Sequence, residues 1–283
     1  MARLADRQFV KMNGLGNEIL VLDLRSDPVE VTPAEARALA RPQAVPFDQA
    51  MVLYPPRRPE TAAFVRILNS DGSEAAACGN GTRCIAAYEA ARAGSDHVVF
   101  ESPAGLLICD VEGDGTITVD MGAPRLHWAE IPLAAPVPDT ASYVIPGYEA
   151  LGPASFASMG NPHAVFFVDA EVDVDRLGPA LEHHALFPER ANISFVRQAG
   201  SDHLIVDVWE RGAGRTRACG TAACAVAVNA VRMGRTGRTV RITLPGGDLT
   251  IQWRESDAHV LMTGPVAHEF EGVLTAAMLT EAA

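Results

Sequence analysis

The sequence predicts an α/β protein built as two similar domains, and three observations carry that expectation. The chain has 283 residues, which suits two compact domains of about 140 residues better than one. Short runs rich in β-branched and aromatic residues alternate with a few Ala-rich stretches. One motif also occurs twice. Cys78-Gly79-Asn80-Gly81 opens one Ala-rich stretch, and Cys219-Gly220-Thr221-Ala222 opens another 141 positions later. A repeat of half the chain means a doubled domain, not a solenoid.

Taken in order, strands are expected at 19–24, 64–69, 98–102, 106–111, 116–121, 164–168, 193–197, 204–210, 239–244, 248–253 and 259–263. Thr32-Pro33-Ala34-Glu35 is a capping box with Pro at the first helical position, opening a helix to about Ala40. Helices are expected over 80–93 and 220–233, each ending before a glycine (Gly94, Gly234) able to take the left-handed cap. A fourth is expected over 175–184. The repeat extends beyond the cysteines. Pro103-Ala104-Gly105-Leu106 resembles Pro245-Gly246-Gly247-Asp248-Leu249, and Met121-Gly122-Ala123-Pro124 resembles Met262-Thr263-Gly264-Pro265. Asn69 and Glu210 each lie nine positions before their cysteine. Pro132–Gly147, with four prolines, reads as a linker zone, so the expected domains are 1–135 and 136–283 with a cleft site between them.

Hydrophobic residues make up 48% of the chain and charged residues 20%, a composition that builds a core. A net charge of -12 argues against nucleic acid or an anionic membrane surface as partner. The longest apolar stretch, roughly 218–231, is too short to span a bilayer and reads as a buried helix. The first residues lack the apolar segment of an export signal, so a cytoplasmic protein with five reduced cysteines is expected. Among 23 basic residues only Lys11 is lysine, which leaves a single candidate for a pyridoxal-phosphate Schiff base. Five residues separate Cys78 from Cys84, and four separate Cys219 from Cys224. These spacings, with no nearby His and no Cys-x-x-Cys, fit neither a zinc knuckle nor a redox dithiol. No metal and no cofactor are expected, and Cys84, Cys109 and Cys224 read as small core residues.

The two remaining cysteines sit where chemistry is available. N–H groups at a helix start are unpaired within the helix and lie at the positive end of its dipole. Such a terminus draws a nearby thiol toward the thiolate and binds carboxylate. Two such sites related by a repeat suggest two acid/base groups acting on one substrate. Inverting a stereocentre needs a base on one face of the carbon and an acid on the other. A substrate carboxylate on both helix starts would spread the charge left as the α-proton departs.

Several motifs, in order, resemble the diaminopimelate epimerase family over essentially the whole chain. They are Phe9-Val10-Lys11-Met12-Asn13-Gly14-Leu15-Gly16-Asn17-Glu18, Phe47-Asp48-Gln49, and Asn69-Ser70-Asp71-Gly72-Ser73-Glu74 leading to Cys78-Gly79-Asn80-Gly81-Thr82-Arg83-Cys84. Gly160-Asn161-Pro162-His163, Pro188-Glu189-Arg190-Ala191-Asn192 and Glu210-Arg211-Gly212-Ala213-Gly214 leading to Ala218-Cys219-Gly220-Thr221 follow. The resemblance implies two pseudo-symmetric α/β domains, each a curled, mainly antiparallel sheet around a central helix. It implies cofactor-free two-base conversion of LL-diaminopimelate to the meso form, and a homodimer.

Carried over residue by residue, the resemblance makes Cys78 and Cys219 the acid/base thiols. Gly79, Asn80, Gly220 and Thr221 would hold the carboxylate at the reacting centre. Asn17, Asn69, Asn161, Asn192 and Arg211 would hold the distal end, with Gln49 a further contact. Glu210 would accept from an ammonium and, with His163, set the thiols' protonation. The chain departs from the usual family pattern at Asn13 for His, at Glu18-Ile19 for Asp-Phe, at Ala222 for Gly and at Pro46 for Gly. The rival readings are a proline- or hydroxyproline-type racemase, or another isomerase of the same fold, and, from a different class, a non-enzymatic thiol or metal-binding protein. Glu210-Arg211 favours a substrate with a second amino-carboxylate head over proline.

Overall fold

A computed structural model describes residues 3–279. The chain forms two compact units. The first takes the chain up to Val119 and again from Gly264, and the second is Asp120–Thr263.

In the first unit β1 (Gln8–Gly14) and β2 (Asn17–Asp23) form a hairpin. Its turn places Leu15 and Gly16 at positive φ, and the Asn13 side chain accepts from the Gly16 N–H at 2.6 Å. The expected capping box is formed at α1 (Pro33–Leu39), where the Thr32 hydroxyl accepts from the Glu35 N–H and the Glu35 carboxylate accepts from the Thr32 N–H. β3 (Gln49–Tyr54) then pairs parallel to β2, and β4 (Phe64–Asn69) antiparallel to β3. A short hairpin to β5 (Glu74–Ala75) leads into α2 (Gly79–Ala93), which ends at left-handed Gly94. β6 (His97–Ser102) returns parallel to β4 and is followed antiparallel by β7 (Gly105–Val111) and β8 (Ile117–Asp120).

The second unit repeats this order step for step. β9 (Ala154–Ser158) and β10 (Pro162–Phe167) form a hairpin. α3 (Val174–Glu182) crosses to β11 (Asn192–Gly200), parallel to β10, with β12 (His203–Glu210) antiparallel to β11. A short hairpin to β13 (Gly214–Arg215) leads into α4 (Gly220–Arg232). β14 (Thr239–Leu244) returns parallel to β12 and is followed by β15 (Gly247–Trp253) and β16 (Val260–Gly264). The repeat seen around two cysteines is therefore a repeat of ten successive elements.

Each unit wraps its sheet around one helix. α2 packs on β1, β2, β3, β6 and β7, and α4 on β9, β10, β11, β14 and β15. A helix touched from so many sides has no polar face, and the α4 residues from Ala222 to Ala230 are all buried. The four expected helices are all present. Four strands of five or more residues, β1, β3, β9 and β17 (Ala267–Val273), lie outside the expected set.

The division of the chain differs from the one expected at residue 135. β17 returns to pair antiparallel with β1, so the last strand completes the first unit. The proline-rich stretch 132–147 is not a linker. Ile131, Leu133 and Ile145 are buried in the second unit's core with Phe156, Phe166 and Phe187, because the prolines interrupt regular structure without removing the apolar side chains between them.

Candidate active site

The repeat places equivalent residues at equivalent points of the two units. The positions are the start of the second strand, the start of the third, the end of the fourth and the N-cap of the second helix. In the first unit they hold Asn17, Gln49, Asn69 and Cys78. In the second they hold Asn161 (one residue before β10), Asn192, Glu210 and Cys219. Eight of the sequence-predicted site residues thus form two constellations with the same construction.

Around Cys78 the sulfur accepts from the Gly81 N–H at 3.2 Å and lies 3.6 Å from the Gln49 carbonyl oxygen. Gln49 in turn donates to Asn69 Oδ1 at 3.2 Å, and Asn69 Nδ2 donates to the Ser73 hydroxyl at 3.0 Å. The first intrahelical bond is Thr82 N–H to Cys78 C=O, so the N–H groups of Gly79 and Asn80 precede the helical ladder. A Cβ at Gly81 would lie 2.5 Å from Met51 Sδ and 3.2 Å from Cys78 Sγ, so a larger residue there displaces the Met51 side chain and crowds the sulfur. Asn17 has its carbonyl oxygen buried with no hydrogen-bond partner among the described residues. Asn80 is buried, and its carbonyl oxygen accepts from Arg83 at 3.1 Å. Its side-chain oxygen is thereby engaged within α2.

The departures from the usual pattern have local partners. Asn13 caps its own turn and donates to Glu269 at 3.1 Å. Glu18 accepts from the buried Lys11 ammonium at 2.7 Å. Ala222 is buried inside α4.

Around Cys219 a hydrogen-bonded chain runs through four residues. His163 Nε2 is 2.9 Å from Asn161 Oδ1, Asn161 Nδ2 is 3.3 Å from Thr221 Oγ1, and Thr221 Oγ1 is 3.5 Å from Cys219 Sγ. Burial, reinforced by the positive charge of Arg211, pushes His163 down to about 3. The ring is therefore neutral. With Nδ1 buried and without a partner among the described residues, the proton belongs on Nε2, pointing at Asn161. Each donor then faces an acceptor, and the Thr221 hydroxyl hydrogen is left for the sulfur.

Burial and, after it, the nearby Glu210 carboxylate raise the Cys219 thiol well above its ordinary value, while the Thr221 hydroxyl opposes them. The pull toward the thiolate expected of a helix start is thus outweighed at Cys219. Glu210 accepts from the Thr216 hydroxyl. The main chain around it is fixed by Arg211 N–H to Asn192 Oδ1 at 3.0 Å and Asn192 Nδ2 to the Pro162 carbonyl at 3.0 Å. The Arg211 guanidinium donates to the Glu189 carbonyl at 3.0 Å. Cys84 and Cys109 are buried and pushed up to about 12, as core thiols are. Thr216 carries no sequence signal on its own. In retrospect the signal is that both hairpins hold a hydroxyl, Ser73 or Thr216, against the strand-end residue.

Among the described residues, no group of three His, Cys, Asp or Glu is placed to hold a metal ion, and no helix is long and apolar enough to cross a membrane.

The doubled α/β unit is a fold shared with other solved structures. A probable proline racemase from Agrobacterium radiobacter superposes with a TM-score of 0.68 at 16% identity, covering 95% of this chain and 93% of that one. A phenazine biosynthesis protein of the PhzF family from Enterococcus faecalis superposes at 0.67 and 15%, covering 94% and 98%. At such identities the likeness is one of fold. Sequence narrows the class. The diaminopimelate epimerase family pattern matches residues 9–127 and 155–269. Diaminopimelate epimerases of Rhodopseudomonas palustris and Nitrobacter hamburgensis are 54% and 51% identical, each over the full length of both chains. One from Afipia carboxidovorans is 52% identical, covering 96% of this chain and 97% of its own. The chain belongs to the diaminopimelate epimerase family, whose members are epimerases independent of pyridoxal phosphate.

Proposed function

We propose that the protein converts LL-diaminopimelate to the meso isomer by proton transfer between two thiols, Cys78 and Cys219. The observation that carries this reading is the doubling itself. A cysteine N-caps the central helix at the same topological point of each unit, at the close of the same set of polar strand ends. The relatives at 51–54% identity supply the substrate.

The chemistry needs both thiols at one substrate carbon, on opposite faces. One sulfur enters as thiolate and takes the α-proton, breaking the Cα–H bond and becoming a thiol. The electron pair left behind spreads into the adjacent carboxylate, where N–H groups of Gly79, Asn80, Gly220 and Thr221 meet it. The other sulfur delivers its proton to the opposite face and becomes the thiolate, so protons and charge balance over the turnover. Burial and Glu210 favour the protonated form of Cys219. His163 acts as a neutral donor at the far end of the chain that orients Thr221 toward Cys219. Asn17, Gln49, Asn69, Asn161, Asn192, Glu210 and Arg211 hold the rest of the substrate. Glu210 and Arg211 suit an amino-carboxylate head that proline lacks, which sets the diaminopimelate reading above a proline-type racemase.

The same reading makes the protein a cytoplasmic homodimer. Light scattering on the eluted protein should give twice 30.0 kDa, and a monomer would remove that part.

The test of activity is incubation of the reduced protein with LL-diaminopimelate, followed by chiral separation of the product. Meso isomer should accumulate, and Cys78→Ala and Cys219→Ala should each abolish it. Conversion surviving either substitution would end the two-thiol reading. Conversion of proline instead would move the substrate while leaving the mechanism in place.

A further inference from the structure

Glu182 is the last residue of α3 and is 3% exposed, yet it belongs to no motif and touches no group with a role in the proposed reaction. Its carboxylate gathers donors from three separate places. Oε2 accepts from the Trp209 indole N–H at 2.7 Å, and Oε1 accepts from the Gly212 backbone N–H at 2.9 Å. Oε1 also meets the Arg190 guanidinium at 3.3 Å.

These three donors surround the polar loops of the second unit. Trp209 immediately precedes Glu210, and Gly212 immediately follows Arg211. Arg190 stands two residues before Asn192, at a positive φ of 59°. The two loops are also tied to each other, by Arg211 N–H to Asn192 Oδ1 and the Arg211 guanidinium to the Glu189 carbonyl. One helical turn before Glu182, Gly178 lies under the indole, where a Cβ would come within 2.4 Å of Trp209 Cγ. The helix thus offers a flat seat for the ring and an acceptor for its N–H on the same face.

We infer that Glu182 is a positioning residue that holds the 188–192 and 209–212 loops in the arrangement from which Asn192, Glu210 and Arg211 recognise the distal head of the substrate. A buried carboxylate suits this task because both its oxygens are acceptors and every partner is a donor. An amide in its place would set an N–H₂ group against either the indole N–H or the Gly212 N–H.

The inference takes its substrate from the epimerase reading, but the brace itself is independent of that reading. The test is Glu182→Gln, measured in two ways. In turnover of LL-diaminopimelate, KM should rise about tenfold while kcat stays within about threefold, because the distal head loses its seat and the thiols do not. Independently of any substrate, iodoacetamide alkylation of Cys219 at pH 8, resolved by peptide mass, should run about threefold faster as Glu210 loosens its hold on the thiol. Trp209→Phe, which keeps an aromatic ring at this position but loses the N–H together with part of the ring, should show both effects in smaller measure and serves should Glu182→Gln not fold. A fall in kcat with unchanged KM, or an unchanged alkylation rate, would overturn the brace. Should the wild-type protein not turn over LL-diaminopimelate, the epimerase reading falls instead, and the alkylation rate alone decides the role of Glu182.

Discussion

His163 ties the stability of the second unit to pH in a way that can be worked out in advance. Folded, the imidazole is fully buried and pushed down to about 3, first by burial and then by Arg211; unfolded, it has its ordinary value of 6.5. Above pH 6.5 the ring is neutral in both states and contributes nothing to the pH dependence. Between 6.5 and 3 only the unfolded chain takes the proton, so stability is lost as pH falls. At pH 5 the unfolded state gains a factor of about 30 from this one proton, which is about 2 kcal/mol. The folded ring is unprotonated at that pH, so the figure rests on the ordinary imidazole value alone. His163→Gln keeps a donor able to reach Asn161 and removes the titration. Urea unfolding followed by far-UV circular dichroism, at pH 7.5 and pH 5 for both proteins, is the assay. The wild type should lose about 2 kcal/mol more than the variant between the two pH values, equivalent to about 4–8 °C in Tm. Parallel losses would refute the claim that His163 is buried and neutral.

Three further outcomes follow from the same structure. Gly81→Ala puts a Cβ against Met51 and the Cys78 sulfur; with the circular dichroism spectrum unchanged, the two-thiol proposal expects kcat to drop at least about tenfold, since it makes Cys78 a reacting group whose small displacement is costly. Asn229 is fully buried on α4, and its carbonyl oxygen accepts from Ser155 at 2.7 Å and Arg232 at 2.9 Å; Asn229→Ala should cost about 2 kcal/mol or more in urea unfolding by stranding both donors. Cys109, buried in β7 at 1% exposure, should accept Ser with a loss of about 1–2 kcal/mol in stability and wild-type turnover, which separates core thiols from reacting ones.

The candidate site was more legible in the sequence than the sheet that carries it. Cys78 and Cys219 could be read because a thiol before Gly at a helix start is a local feature, and its recurrence at a fixed offset signals duplication. The helices announced themselves by local chemistry as well, through the Thr32–Glu35 box and the glycines after α2 and α4. Strand β3 hid because Gln49, Ala50 and Met51 are not strand formers by composition; its burial between β2 and β4 comes from tertiary pairing. β17 hid for the opposite reason, since its side chains are mostly exposed and its place is set by hydrogen bonds to β1 more than 250 residues earlier. That return also shifted the domain division, as no local signal says which unit a terminal strand will join. Glu182 is invisible for the same reason, because its donors stand 8, 27 and 30 positions further along the chain.

Proton NMR of LL-diaminopimelate with the reduced protein in D2O addresses the two-thiol transfer most directly. In an early time course the meso product should carry deuterium at its inverted α-carbon while unreacted LL substrate keeps its α-proton, because one sulfur removes the proton and a different, solvent-equilibrated sulfur supplies the replacement. Meso product that retains the original α-proton would mean a single group moves it across the carbon, and transfer between Cys78 and Cys219 would be contradicted.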